Sequence, residues 1–102
     1  MAFNLVFEAL AHPVRRQILA RLRSGPLSAG DLADGFDLSK PSMSVHFKKL
    51  READLVSVER QGTSLIYQLN MSLLEEALAG VLTLTDGRSA TESRTSSEGK
   101  QE

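Results

Sequence analysis

Apolar positions recur along this chain with two different periods, and the change of period marks a change of structure. Phe3, Val6, Phe7 and Leu10 make a first stripe at helical spacing and predict a helix from about Phe3 to Ala11. His12-Pro13 breaks it and restarts it, because the residue before a proline is pushed out of helical angles while proline suits a helix's first position. Val14, Ile18, Leu19 and Leu22 give a second helix its buried side, and Ser24-Gly25-Pro26 ends it. A third helix begins near Ser28, whose capping oxygen is followed three residues on by Asp31, and turns Leu32, Ala33 and Phe36 inward. After a short turn at Asp37 to Ser39, a fourth runs from about Lys40 to Ala53 with Met43, Phe47 and Leu50 at i, i+4 and i+7.

There the period falls from 3.6 to 2. Val56 and Val58 alternate with Ser57 and Glu59, and past Gln61-Gly62 the set Leu65, Tyr67, Leu69 alternates with Ile66 and Gln68. Gly62 supplies the positive φ that a tight connection needs, so a β-hairpin is expected with Arg60 to Ser64 at its tip. A last helix, capped by Asn70 or Ser72, runs to about Leu84. It carries Leu73, Leu74, Ala77, Leu78, Val81 and Leu82, too many apolar positions for one narrow stripe. Two packing partners are implied, the chain's own core and a symmetry mate. From Thr85 the run TDGRSATESRTSSEGKQE has no apolar period and is expected to be a disordered polar tail. The expected architecture is therefore one domain over residues 1–84, mainly α with a small β-hairpin, followed by a tail over 85–102.

Helix, tight turn, second helix and two-stranded wing is the layout of a winged helix-turn-helix, whose commonest purpose is to hold a helix in the DNA major groove. With Met43, Phe47 and Leu50 turned inward, the fourth helix leaves Lys40, Ser42, Ser44, Val45, Lys48 and Lys49 outward. Short hydroxyls and long cations on one exposed face suit phosphate oxygens and base edges. Ser39 serves as a helix cap at least as readily as a DNA contact. Lys48 lies one turn from Ser44 and is a phosphate candidate. Arg60, Gln61 and Thr63 at the wing tip are placed to follow the backbone or enter the minor groove.

Charge and composition change this picture little. The chain of 102 residues has a formal net charge of −1, not the basic balance of many nucleic-acid binders. Its distribution is more informative: Lys40, Lys48, Lys49, Arg51 and Arg60 face only Glu52, Asp54 and Glu59 over the same stretch. One modest core is all that this length can bury, so dimerisation is expected to add stability. The absence of cysteine excludes disulfides, thiolate metal sites and cysteine nucleophiles. Met1 to Leu10 lacks a basic lead and meets Glu8 early, and no apolar run approaches the roughly 20 residues that span a bilayer, so a cytoplasmic protein that is not membrane-embedded is expected. No nucleophile–base pair, phosphate-binding glycine loop or carboxylate constellation is present, so catalysis is not expected.

Taken in order, FEALAHPVRRQILARL and then LSAGDLADGFDLSKPSMSVHFKKLREADLVSVERQGTSLIYQLN closely resemble the ArsR/SmtB family of bacterial winged-helix repressors, in particular its SdpR-like autorepressor branch. The likeness covers about Phe3 to Leu82. It implies a homodimer, joined through Phe3, Val6 and Phe7 of the first helix and Leu74, Leu78, Val81 and Leu82 of the last, that occupies double-stranded operator DNA. It also implies DNA contacts from Ser39, Lys40, Ser42 and Ser44. Many relatives carry a histidine pair where this chain has Val45-His46; Val45 is suited to a thymine methyl, while His46 on the inner side reads as a hydrogen-bonded, half-buried residue. His12 is expected to cap a helix. Arg15 and Arg16 are expected to pair with a carboxylate such as Glu8, with phosphate as the alternative, and Arg51 with Asp54 or Glu52.

Metal-sensing relatives use cysteines on the third helix or Asp and His on the last. Here those places read Ala29-Gly30-Asp31-Leu32 and Glu75-Glu76, so neither a metal nor any other cofactor is expected. No residue signature identifies an inducer or sequestering partner. The competing interpretation is a winged-helix protein-interaction module, antitoxin-like or a scaffold, that does not read DNA; the Ser, Lys and Arg at the reading positions argue against it.

Overall fold

The computed structural model describes residues 3–86. Helices α1 (Phe3–Leu10), α2 (Pro13–Leu22), α3 (Ala29–Ala33), α4 (Lys40–Glu52) and α5 (Met71–Asp86) surround strands β1 (Leu27–Ser28), β2 (Val56–Gln61) and β3 (Ser64–Leu69). The last helix runs two residues past the expected Leu84. Of the expected polar tail, residues 87–102 lie outside the described residues.

The hairpin forms as its alternation dictates. Val56 pairs with Leu69, Val58 with Tyr67 and Gln61 with Ser64, leaving Gly62 and Thr63 as the connection. Gly62 takes φ +63°, a conformation that costs a residue without Cβ little. β1 was not expected: Leu27 and Ser28 pair antiparallel with Tyr67 and Ile66, making a three-stranded sheet in the order β1-β3-β2. A strand of two residues is too short to show any period. Ser28 also keeps its predicted task, since its Oγ accepts from the Asp31 N–H at 3.1 Å and starts α3.

A single core fills the space between helices and sheet. Ile18, Leu32, Met43, Leu50 and Leu55 are fully buried, and the Phe47 and Tyr67 rings meet at 4.9 Å between centroids. Burial holds the Tyr67 hydroxyl above its ordinary pKa, with the neighbouring Arg51 guanidinium opposing that shift. Arg51 thus turns to Tyr67 rather than to Asp54 or Glu52.

The end of α4 is fixed by a Schellman motif. The Leu55 N–H bonds to Leu50 O at 3.1 Å and the Asp54 N–H to Arg51 O at 3.0 Å, while Leu50 and Leu55 pack together in the core. The motif forces Asp54 to φ +63°, in the left-handed region that a β-carbon disfavours. Asp54→Gly should therefore stabilise the protein by about 0.5–1 kcal/mol, read as a higher urea midpoint at unchanged slope. Asn70 joins this corner to the last helix: its Nδ2 donates to Asp54 O at 2.9 Å and its Oδ1 accepts from the Leu73 N–H at 3.3 Å, so Asn70 is the cap of α5.

Candidate nucleic-acid interface

α4 starts where Ser39 leaves extended backbone, and the Ser39 Oγ accepts from the Ser42 N–H at 3.2 Å. That hydroxyl also donates to the Ser42 Oγ at 3.1 Å, so Ser39 is committed to the helix end while Ser42 keeps its own donor. Pro41 occupies the first turn, where a missing N–H costs nothing.

Met43, His46, Phe47 and Leu50 face the core, which leaves Lys40, Ser44 and Lys48 as a row one turn apart on the exposed side. Val45 stands beside this row with 55% of its surface exposed, an apolar side chain open to solvent among the described residues. Lys48 reaches Glu52 at 3.9 Å, but with both side chains largely in water this pair holds the ammonium only weakly. Lys49 differs: it turns away from the row to Glu8 of α1 at 3.4 Å. At the wing, Arg60, Gln61 and Thr63 are all exposed. Register places Arg60 opposite Leu65 on the sheet face that carries Val58 and Tyr67, just beyond the core.

Behind the row, α2 fastens its neighbours. Arg15 is buried; its Nε donates to Ala9 O at 2.7 Å, its Nη2 to Glu8 O at 3.1 Å, and its Nη1 meets His46 Nδ1 at 3.2 Å. Arg16 donates to Leu10 O at 2.7 Å. Both arginines therefore bind backbone oxygens, not the expected Glu8 carboxylate. The physical reason is that the last carbonyls of α1 have no helical partner and carry the negative end of its dipole. Arg21 repeats the device on α3, donating to Leu32 O at 3.0 Å and Asp31 O at 3.2 Å. A Cβ at Gly35 would overlap its guanidinium. Nothing in the periodicity of α2 signals these bonds, although short helices flanked by arginines are a usable hint.

His12 caps α2 as expected, its Nδ1 accepting from the Val14 N–H at 3.1 Å, and its ring lies 4.4 Å from that of His46. Since Arg15 only donates, His46 Nδ1 is unprotonated and its hydrogen sits on Nε2. Burial first, then His12, then Arg15 hold the His46 pKa below its ordinary 6.5. The sign follows: below pH 6.5 the unfolded chain binds a proton at this position more readily than the folded one. Folding stability should be insensitive to His46 above that pH and fall as the pH drops below it. Urea midpoints measured between about pH 8 and 5 should decline at the acid end, and His46→Phe should remove that part of the decline.

The apolar positions of the two outer helices divide. Phe7 is 41% and Leu78 49% exposed, Leu82 is more so, and the Phe3 and Phe7 rings lie 6.4 Å apart. Leu74 and Val81 are half-buried. Val6 is the correction: it is 1% exposed, inside the chain's own core, and has no surface left for another subunit. In a helix of eight residues with apolar groups nearly all round, periodicity does not say which side meets the core. Leu5, 40% exposed, is an apolar surface position that the stripe did not include.

Among the described residues, no group of three His, Cys, Asp or Glu could hold a metal ion, and no helix is long and apolar enough to cross a membrane. Residues 10–59 match the helix-turn-helix domain family. The chain is 40% identical over 79 residues to the transcriptional repressor SdpR of Bacillus subtilis (strain 168), spanning 78% of this chain and 88% of that protein. It is 37% identical over 72 residues to the arsenical resistance operon repressor of Staphylococcus xylosus, spanning 71% and 69%. A crystal structure of an ArsR family transcriptional regulator matches with a TM-score of 0.76 at 31% identity, over 91% of this chain and 93% of that one. These relatives are regulators of transcription, not enzymes. A helix-turn-helix with a two-stranded wing, an open serine-and-lysine row on its second helix and this set of relatives lead to one assignment: the chain belongs to the ArsR/SmtB family of winged-helix transcriptional repressors.

Proposed function

We propose that the protein works in the cytoplasm as a homodimer that binds double-stranded operator DNA, in its own promoter among others, and represses transcription without a metal or other cofactor. The observation that carries this reading is the Lys40, Ser44, Lys48 row, exposed on a helix whose opposite side is anchored in the core. α4 lies in the major groove. Ser42, Ser44 and Val45 meet base edges, Val45 against a thymine methyl, while Lys40 and Lys48 meet phosphates. Arg60, Gln61 and Thr63 hold the backbone or the minor groove beside it. Two subunits join through the exposed Phe7 of α1 and Leu78 and Leu82 of α5, with the half-buried Phe3, Leu74 and Val81 beside them. Unlike a protein-docking patch, the α4 row is hydrophilic and cationic, which favours DNA over a protein partner.

Footprinting on the DNA upstream of the gene is the test. A palindromic segment with half-sites about one helical turn or a multiple apart should be protected, and affinity should fall steeply with salt. Protection of no discrete segment, or salt-insensitive binding, would refute the reading.

A further inference from the structure

We propose that Arg15 is a positioning residue for DNA reading: by gripping the end of α1 and the His46 ring of α4 together, it sets the separation of the two reading helices in the dimer. This rests on the homodimeric reading above. α1 presents Phe7 to the partner subunit, and α4 presents the serine-and-lysine row to DNA, so the angle between these helices fixes how far apart two copies of that row stand.

The Arg15 guanidinium is the piece that joins them. Only 8% of the residue is exposed, and its three nitrogens hold Ala9 O, Glu8 O and His46 Nδ1 at 2.7, 3.1 and 3.2 Å. A planar fork with donors in fixed directions sets the relative position of three acceptors, which a lysine ammonium on a flexible stem does not. Among the described residues Arg15 has no carboxylate partner; all three acceptors are neutral. Replacing the guanidinium by an apolar side chain would leave these acceptors unpaired and so lower stability. Such a replacement would also lose the geometric link. The other polar link between α1 and α4, Lys49 to Glu8, is exposed on both sides and holds them loosely. The His12 ring, packed on His46 at 4.4 Å, limits where that imidazole can move.

The experiment uses the full chain and the footprinted operator, together with synthetic versions whose half-site spacing is lengthened or shortened by one base pair. Wild-type protein should bind the native spacing about tenfold or more tightly than either altered one. Arg15→Met should remain a dimer by sedimentation yet lose most of that preference, binding all three duplexes within about threefold of one another. His46→Phe keeps the ring and the Arg15 bonds to α1 but removes the acceptor on α4. It should flatten the preference likewise, while His46→Gln, which restores an acceptor, should recover it. A purely structural role would lower the melting temperature and leave the spacing ratio intact. That outcome, in Arg15→Met or, should that variant fail to fold, in His46→Phe, overturns the proposal. A wild-type protein with no spacing preference, or one that binds as a monomer, would instead overturn the homodimeric reading beneath it.

Discussion

Lys48→Glu combined with Arg60→Glu should leave the protein folded and abolish operator binding. Both side chains are exposed, and neither makes a bond on which the fold depends; Lys48 has only its weak contact with Glu52. On DNA their situation reverses, because each cation at a phosphate displaces condensed counterions, and an anion there is repelled. In a dimer the two substitutions remove four phosphate contacts. The slope of log affinity against log salt should then shrink by about four, and affinity should drop by roughly a hundredfold or more at moderate salt. Mobility-shift titrations at several salt concentrations, beside circular dichroism to verify folding, measure both quantities. An unchanged titration would mean that the α4 row and wing tip do not face DNA. The mild acidity of the whole chain has no bearing on this result, since a Debye length of about 8 Å confines the contest to groups near the phosphates.

Charging the outer apolar face should have an effect of similar size by another route. Phe7→Glu with Leu78→Glu introduces carboxylates where the isolated subunit already meets water, so the monomer fold should survive. Pairing should not. Each carboxylate would have to be desolvated against an apolar partner surface, a cost of several kcal/mol per charge. The variant should sediment as a monomer, with operator affinity reduced by about a hundredfold or more and a salt slope near half the wild-type value, because one subunit spans one half-site. A dimer with normal affinity would remove α1 and α5 as the interface. The two double variants also separate causes: the first should keep the dimer and lose DNA, whereas the second should lose both.

How the chain stays in balance is partly visible in its arginines. α1 and α3 are short, with eight and five residues, and isolated helices of that length do not persist in water. Arg15, Arg16 and Arg21 all project from α2 and satisfy the carbonyl ends of these two helices. α2 therefore organises the helical layer through polar bonds as well as through Ile18, Leu19 and Leu22. It also explains why paired arginines expected from sequence to meet a carboxylate, or else a phosphate, turn out to serve backbone oxygens.

Much of this protein is written locally. Helix stripes with their stops at His12-Pro13 and Ser24-Gly25-Pro26, caps at Ser28 and Ser39, and the change of period before Gly62 are each set by neighbours a few residues apart. The order of the helices and the hairpin, the inward side of α4, and its outward serines and lysines accordingly followed from the sequence itself. The family resemblance drew on those same stretches, and the relatives bear it out. Other features depend on residues distant in the chain and only packing decides them. β1 exists because Tyr67 and Ile66 come alongside Leu27 and Ser28. Val6 faces the core rather than another subunit because α1 lies across the layer at one particular rotation. Arg15 found two carbonyls and an imidazole thirty-one positions away rather than the nearest carboxylate, since helix dipoles and burial, which no periodicity records, set where a long flexible cation comes to rest.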